Sequence, residues 1–352
     1  MEGMRATTPF VRYLADRLGD KHFTVLDVGC SLGIDLAWRE FGTRLRAFGF
    51  DPNLEEIARL RSNEQLPGVE YIAAFVGVPA VDPALMRMRA GTFWARNPWE
   101  RLSVARTIQI RAAQIANSGN AEKTKLNQWS QVKLADRDQP LIMTDFLRER
   151  GVEDVDFIKI DIDGGDFLVL RSLCNTLDEK RVLGVGIEVN FFGSHDTDVN
   201  TFHNVDRLMK AAGFELFDLS VRRYSAAALP APYAYDVPAQ GAWGRILQGD
   251  ALYLRDAAAP EHNRWAESIG PYKLAKLAAL FSIFRLPDCA AEILRCFRAE
   301  LVPLLDVRSA LDKLVEQCIP PGEPVPSYAD YIKDFKNDGS RFYPARQAGP
   351  SY

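Results

Sequence analysis

The chain has 352 residues, 47% of them hydrophobic, enough for a large core built as two domains or one enlarged domain. Its net charge of −4 argues against a duplex-binding surface, which would carry a basic excess, so no nucleic-acid partner is expected. Five scattered cysteines (Cys30, Cys174, Cys289, Cys296, Cys318) form no C-x-x-C pair and give no zinc ribbon or disulfide framework. The stretch MEGMRATTPFVRYLADRLGDK lacks the apolar centre of a signal peptide, and nowhere is there a run of about 18 uncharged apolar residues. A soluble cytoplasmic protein with no membrane span is expected.

In chain order, FTVLDVG (23–29) reads as a buried strand and SLGIDLAWREFG (31–42) as a helix, N-capped by Ser31 and stopped at Gly42. LRAFGF (45–50) is a second strand, and Asn53 to Glu56 fits a capping box ahead of LEEIARLRS. Further strands are read at 69–77, 155–160, 181–189, 214–221 and 249–255, with helices at GDFLVLRSLCNTL and VNTFHNVDRLMKAAG between them. Strands that alternate with helices and are apolar on both faces argue for a parallel sheet covered by helices. The expected class is α/β: a mostly parallel, seven-stranded Rossmann-like sheet with a helical insertion and an all-helical C-terminal extension. Its domains are expected at 1–255, with 80–140 as a lid over the crevice, and at 256–320. Residues 225–248 form a Pro/Gly/aromatic loop. Asp288 and Asp306 are read as helix N-caps, and the tail 321–352 as partly disordered.

VLDVGCSLGIDL decides the cofactor. A glycine turn after the first strand lets a ligand approach the backbone closely. The dinucleotide fingerprint G-x-G-x-x-G, counted from Gly29, would need glycine at 31 and 34, where Ser31 and Ile34 stand. The pattern present is D-x-G-x-x-x-G: Asp27, Gly29, Gly33. It suits a ligand that lays an amino-acid tail across the turn, with Asp27 helping to anchor an ammonium. Asp51, after the second strand, is placed to accept ribose hydroxyls. Together these point to S-adenosylmethionine, with Cys30 and Ser31 in the turn, Phe75 in the third strand and Asp161 and Asp163 as further cofactor residues. A nicotinamide oxidoreductase is disfavoured by the glycine spacing.

VLDVGCSLG with GFDPN, then DFIKIDIDGGDFLVLRSL, then VGIEVN, resembles the FkbM-type methyltransferases. Lys159, Ile160, Asp161, Gly164 and the pair Val169–Leu170 stand at the positions of that family's K-I-D-V-E-G-x-E strand end and V-L helix pair. Asp163 and Asp166 replace the usual glutamates. The resemblance covers about residues 20–255. It implies a class I methyltransferase fold and transfer of a methyl group to a hydroxyl, commonly on a sugar or polyketide.

Ligands in such sheets bind beyond the carboxyl ends of the strands. Asp161 ends the fourth strand, and Glu188 and Asn190 end the fifth. Asp161, Glu188 and Asn190 would offer three oxygens to an octahedral Mg²⁺, an arrangement resembling that of some sugar and catechol O-methyltransferases. The alternative is that Asp161 and Glu188 bind cofactor and backbone without metal. Asp166, in the first turn of the next helix, reads as structural. His195, after the fifth strand, is the expected general base beside Asp161 and Glu188. His203 reads as packing or capping.

On the substrate side, residues 80–118 hold six arginines against Asp82 and Glu100, with Trp94 and Trp99 interleaved. Arg96, Trp99, Tyr235 and Trp243 are the expected contacts to a sugar or glycan, free, phosphorylated or nucleotide-linked. The stripes Leu274, Leu277, Leu280, Phe281, Phe284 and Ile293, Leu294, Phe297, Leu301 read as core, with part available for a homodimer. The reading is a sugar O-methyltransferase. Its alternatives are O- or N-methylation of a non-sugar acceptor and a catalytically silent glycan-binding protein of the same fold.

Overall fold

The computed structural model describes residues 8–78, 133–136, 138–162, 165–192, 199–232, 234, 240–320 and 322–339. Most of the expected 80–140 lid lies outside them. The chain divides into two units, one holding residues 22–256 and the other residues 8–21 with 257 onward.

Among the described residues, the first unit holds nine strands: β1 (Phe23–Val28), β2 (Leu45–Asp51), β3 (Val69–Ala73), β4 (Val76–Gly77), β5 (Leu141–Ile142), β6 (Phe157–Ile160), β7 (Gly184–Asn190), β8 (Glu215–Tyr224) and β9 (Arg245–Leu254). Seven of them form one sheet in the order β3-β2-β1-β6-β7-β9-β8, and β4 pairs with β5 apart from it. The run expected as one strand over 69–77 is therefore split. Pairings are parallel from β3 to β7, and β9 is antiparallel to both its neighbours. Every residue of β1 and β7 is buried, the signature of strands covered on both faces. The chain leaves β1 toward β2 on one side, while β6 lies on the other. The carboxyl ends of β1 and β6 thus flank the point where the strand order reverses, where such sheets open a crevice.

Helix α1 (Pro9–Ala15) belongs to the second unit; α2 (Leu54–Asn63), α3 (Met143–Glu149), α4 (Asp166–Ser172), α5 (Cys174–Glu179) and α6 (Phe202–Ala211) belong to the first. Asn53 caps α2 by accepting from the N–H groups of Glu55 and Glu56. The helix expected over 31–42 does not form, and Ser31 caps nothing. Leu32 (φ 75°) and Gly33 (φ 95°) both take left-handed backbone, which no helix continues through. A 3₁₀ segment, Trp38–Arg44, interrupted at Gly42, follows instead. It lays Trp38 and Phe41 on the core, where Phe41 stacks on Phe23 of β1 with ring centroids 4.2 Å apart.

The second unit is helical: α7 (Asn263–Ile283), broken at Gly270–Pro271, then α8 (Pro287–Cys296), α9 (Arg298–Leu301), α10 (Val307–Cys318) and α11 (Tyr328–Asn337). Leu274, Leu277, Leu280, Phe281, Phe284, Ile293, Leu294 and Leu301 are buried within the single chain and Phe297 is half-buried, in keeping with a core role. Asp306 caps α10, as expected. Asp288 does not cap α8: Pro287 takes the first helical position, which puts Asp288 inside the first turn. Within the tail, residues 328–337 form α11 under a Ser327 cap.

Candidate active site

The site is built from the carboxyl ends of β1, β2 and β6 inward. After β1 the chain turns at Gly29 (φ 92°), whose N–H donates to the Phe50 carbonyl at 2.8 Å. A Cβ at Gly29 would lie 1.8 Å from the Asp161 carbonyl oxygen, so only glycine lets the turn and the end of β6 approach this closely. Gly33 closes the turn through its N–H to the Cys30 carbonyl, and the next N–H, of Ile34, donates to the Tyr71 hydroxyl at 3.2 Å. Cys30 is buried against Gly49, and burial pushes its thiol pKa up, which removes it as a nucleophile. Ser31 is exposed, and Leu32 is 87% exposed with its N–H on Glu56.

Lys159, on β6, ties the turn to the neighbouring strand. Its ammonium lies 3.0 Å from the Gly29 carbonyl, 3.2 Å from Asp27 Oδ1 and 3.4 Å from Asp161 Oδ2. Burial works against that charge, but Asp27 and Asp161 more than offset it and the lysine pKa is raised. Asp27 is buried; desolvation raises its pKa and Lys159 opposes the rise. Asp27 therefore meets a lysine of its own chain. Asp161, by contrast, has a side chain 38% exposed, at the end of β6, with its N–H on the Val28 carbonyl. Asp51 is half-buried at the end of β2; burial raises its pKa, and its Oδ1 accepts the Asn53 N–H at 2.8 Å. Phe75 is half-buried, its carbonyl accepting the Leu141 N–H. Asp166 is buried and accepts from the Ile162 N–H at 2.9 Å and the Asn200 amide at 3.3 Å, in keeping with a structural role.

On the other wall, Glu188 is not open to a ligand. Its Oε1 accepts from Arg222 at 2.5 Å and from Gln248 at 3.3 Å, and Arg222 also holds both oxygens of Asp250, at 2.8 and 2.6 Å. Burial raises the Asp250 pKa, and Arg222 opposes the rise. Asn190 is buried, its amide N–H₂ on the Asn200 carbonyl and its Oδ1 without a partner. The expected Asp161–Glu188–Asn190 set does not stand as three free oxygens: a guanidinium takes Glu188 Oε1, while the Asn190 amide N–H₂ donates to its own loop and leaves Oδ1 unpartnered. Among the described residues, no group of three His, Cys, Asp or Glu side chains could hold a metal ion. His195, Asp163, Arg96, Trp99 and Tyr235 lie outside the described residues. Trp243 is 51% exposed.

A family model now joins these observations. Residues 106–216 match the methyltransferase FkbM domain. The matched methyltransferase segment takes in β6 and β7, hence Lys159, Asp161, Glu188 and Asn190, while the glycine turn precedes it. Among solved structures, this methyltransferase is similar to the precorrin-6y C5,15-methyltransferase of Geobacter metallireducens GS-15 (10% identity, 69% of this chain and 87% of that one, TM-score 0.30). It is also similar to a SAM-dependent methyltransferase of Agrobacterium tumefaciens (12%, 69% and 60%, TM-score 0.31). A third is the magnesium protoporphyrin IX methyltransferase of Synechocystis PCC 6803 with bound SAM (10%, 70% and 76%, TM-score 0.28). No curated protein matches. The strand order itself, parallel with one antiparallel strand inserted next to the edge, carries the fold assignment.

Lys159 was legible only as a motif position, and Arg222 not at all. The signal for Lys159 was a charge inside the apolar run FIKI; for Arg222 it was the pair of arginines in SVRRY, at the end of a strand.

Proposed function

We propose that this methyltransferase uses S-adenosylmethionine to methylate a hydroxyl group, with a sugar or glycan as acceptor. The observation that supports the reading best is Asp161: a half-exposed carboxylate at the switch point of the sheet, backed onto a glycine turn where a Cβ would not fit. The turn 29–33 and Asp51 fit a nucleoside with an amino-acid tail, the turn because a glycine backbone admits close approach and Asp51 because it has a carboxylate oxygen besides the one that accepts the Asn53 N–H. When bound, the cofactor supplies a methyl group on a sulfonium that departs as a neutral sulfide. Asp161 receives the acceptor's proton as the O–H bond breaks and the new O–C bond forms, so no charge is stranded on the oxygen. Lys159 holds the Asp161 side chain in place through an ion pair at 3.4 Å. Holding the two reactants in line does the rest, since the leaving group is already activated.

The sugar acceptor is favoured by the resemblance and by Trp243, a half-exposed aromatic residue of the kind that stacks on sugars. His195 remains the alternative base, and Arg96, Trp99 and Tyr235 the further contacts to a phosphorylated or nucleotide-linked sugar. A cytoplasmic setting is consistent with the absence, among the described residues, of a helix long and apolar enough to cross a membrane. The test is transfer of label from methyl-labelled S-adenosylmethionine to a panel of free sugars, nucleotide sugars, glycans and non-sugar alcohols and amines. Label on a sugar oxygen supports the reading. Label confined to nitrogen or to non-sugar acceptors replaces it, and binding of glycan with no turnover on any acceptor replaces it with a silent glycan-binding protein.

A further inference from the structure

We infer that Arg222 is the resident cation of the acceptor wall, standing where a divalent metal ion would otherwise sit, and that the site works without one. The register of β7 against β9 places Glu188 opposite Asp250, two carboxylates facing each other across neighbouring strands. Such a pair repels unless a cation separates them. Arg222 comes from β8, whose register sets it opposite Gln248, one alternate position along from Asp250 on the same face. From there one guanidinium nitrogen reaches Glu188 and the other reaches both oxygens of Asp250. The planar fork fits this double contact, and lysine could not reproduce it.

The network has a second layer. Gln248 donates to the same Glu188 oxygen that Arg222 holds, and its own carbonyl accepts the Tyr224 hydroxyl at 2.7 Å. Glu188, Gln248 and Tyr224 are all buried, so this arrangement is fixed from behind. A divalent ion bound here would need carboxylate oxygens, and three of them, Glu188 Oε1 and both of Asp250, already accept four contacts from Arg222 and Gln248 at 3.3 Å or less. Arg222 also lies within electrostatic reach of Asp161. A positive charge held on this wall favours negative charge gathering on an acceptor oxygen as its proton leaves, the service a metal ion gives in other sites. Arg222 acts here as a positioning residue, through Glu188 and Asp250.

The test is Mn²⁺ titration followed by electron paramagnetic resonance on the wild type and on Arg222→Met, with S-adenosylhomocysteine binding measured by calorimetry on the same samples. The wild type is expected to leave the free Mn²⁺ signal undiminished. Arg222→Met frees the facing carboxylates and is expected to bind Mn²⁺ at least roughly tenfold more tightly than wild type. Arg222→Lys, which keeps the charge, should stay indifferent. Mn²⁺ uptake by the wild type that disappears in Glu188→Gln overturns the inference, and so does a folded Arg222→Met protein that ignores Mn²⁺. The wild-type titration decides even if Arg222→Met does not fold. The inference rests on the methyl-transfer reading only for its purpose: a wild type that binds no S-adenosylhomocysteine fails that reading, while the Mn²⁺ result still judges Arg222.

Discussion

Lys159 and Asp27 stand opposite each other on β6 and β1, and their side chains meet beneath the glycine turn at 3.2 Å. The sequence places Asp27 as a cofactor anchor, but the lysine of the adjoining strand reaches it first. The more exposed carboxylate is Asp161, just past the end of β6. Lys159→Met should therefore act on the fold before it acts on chemistry. Leaving Asp27 buried without its partner is expected to cost about 3 kcal/mol, measured by denaturant unfolding. A loss below about 1 kcal/mol would mean that the pair is ornamental.

Gly29→Ala drives a Cβ into the Asp161 carbonyl, a backbone atom that cannot swing away. The expected result is a loss above about 3 kcal/mol or failure to fold. Gly33→Ala meets the tips of Leu60 and Tyr71 at 3.0 and 3.1 Å, softer neighbours, though its φ of 95° still strains a side chain. A loss of about 1–2 kcal/mol is expected there. Equal unfolding midpoints for the two variants would contradict this ranking.

Asp161→Asn keeps size and shape but cannot take a proton. Turnover should fall by about 10²–10⁴, with S-adenosylhomocysteine affinity changed far less. Undiminished turnover in this variant would remove Asp161 as the base and move His195 forward.

Acid stability should depend on Glu64. Its carboxylate is paired with Arg39 at 2.7 Å and accepts the Tyr71 hydroxyl, and Arg39 holds its pKa down to about 2. A folded pKa below the unfolded one stabilises the protein above the ordinary carboxylate range, and that contribution is lost as pH falls through it toward about 2. Thermal unfolding between pH 7 and pH 2 should show Glu64→Gln losing less stability across this window than wild type. Parallel curves would contradict the assignment.

The sheet was legible because its central strands are buried on both faces and so read as uninterrupted apolar runs, FTVLDV and GVGIEV being the clearest. The place of Asp161 followed from the same rule, as the first polar residue after FIKI. The segment 31–42 misled because its apolar spacing suits a helix, while backbone at Leu32 and Gly33 turns left-handed under the pull of contacts to Glu56, Cys30 and Tyr71 from elsewhere in the chain. The role of Glu188 was hidden for a like reason. Its partner Arg222 is 34 residues away, and only the β7–β9–β8 register brings the two together.

The measurement that bears most directly on the account is calorimetric titration of the wild-type protein with S-adenosylmethionine, S-adenosylhomocysteine and NAD, repeated on Asp51→Ala. The account predicts one site for each of the two adenosyl-sulfur ligands, weakened at least about tenfold in Asp51→Ala through loss of the ribose contact, and none for NAD. Binding of NAD, or of neither sulfur ligand, would contradict it.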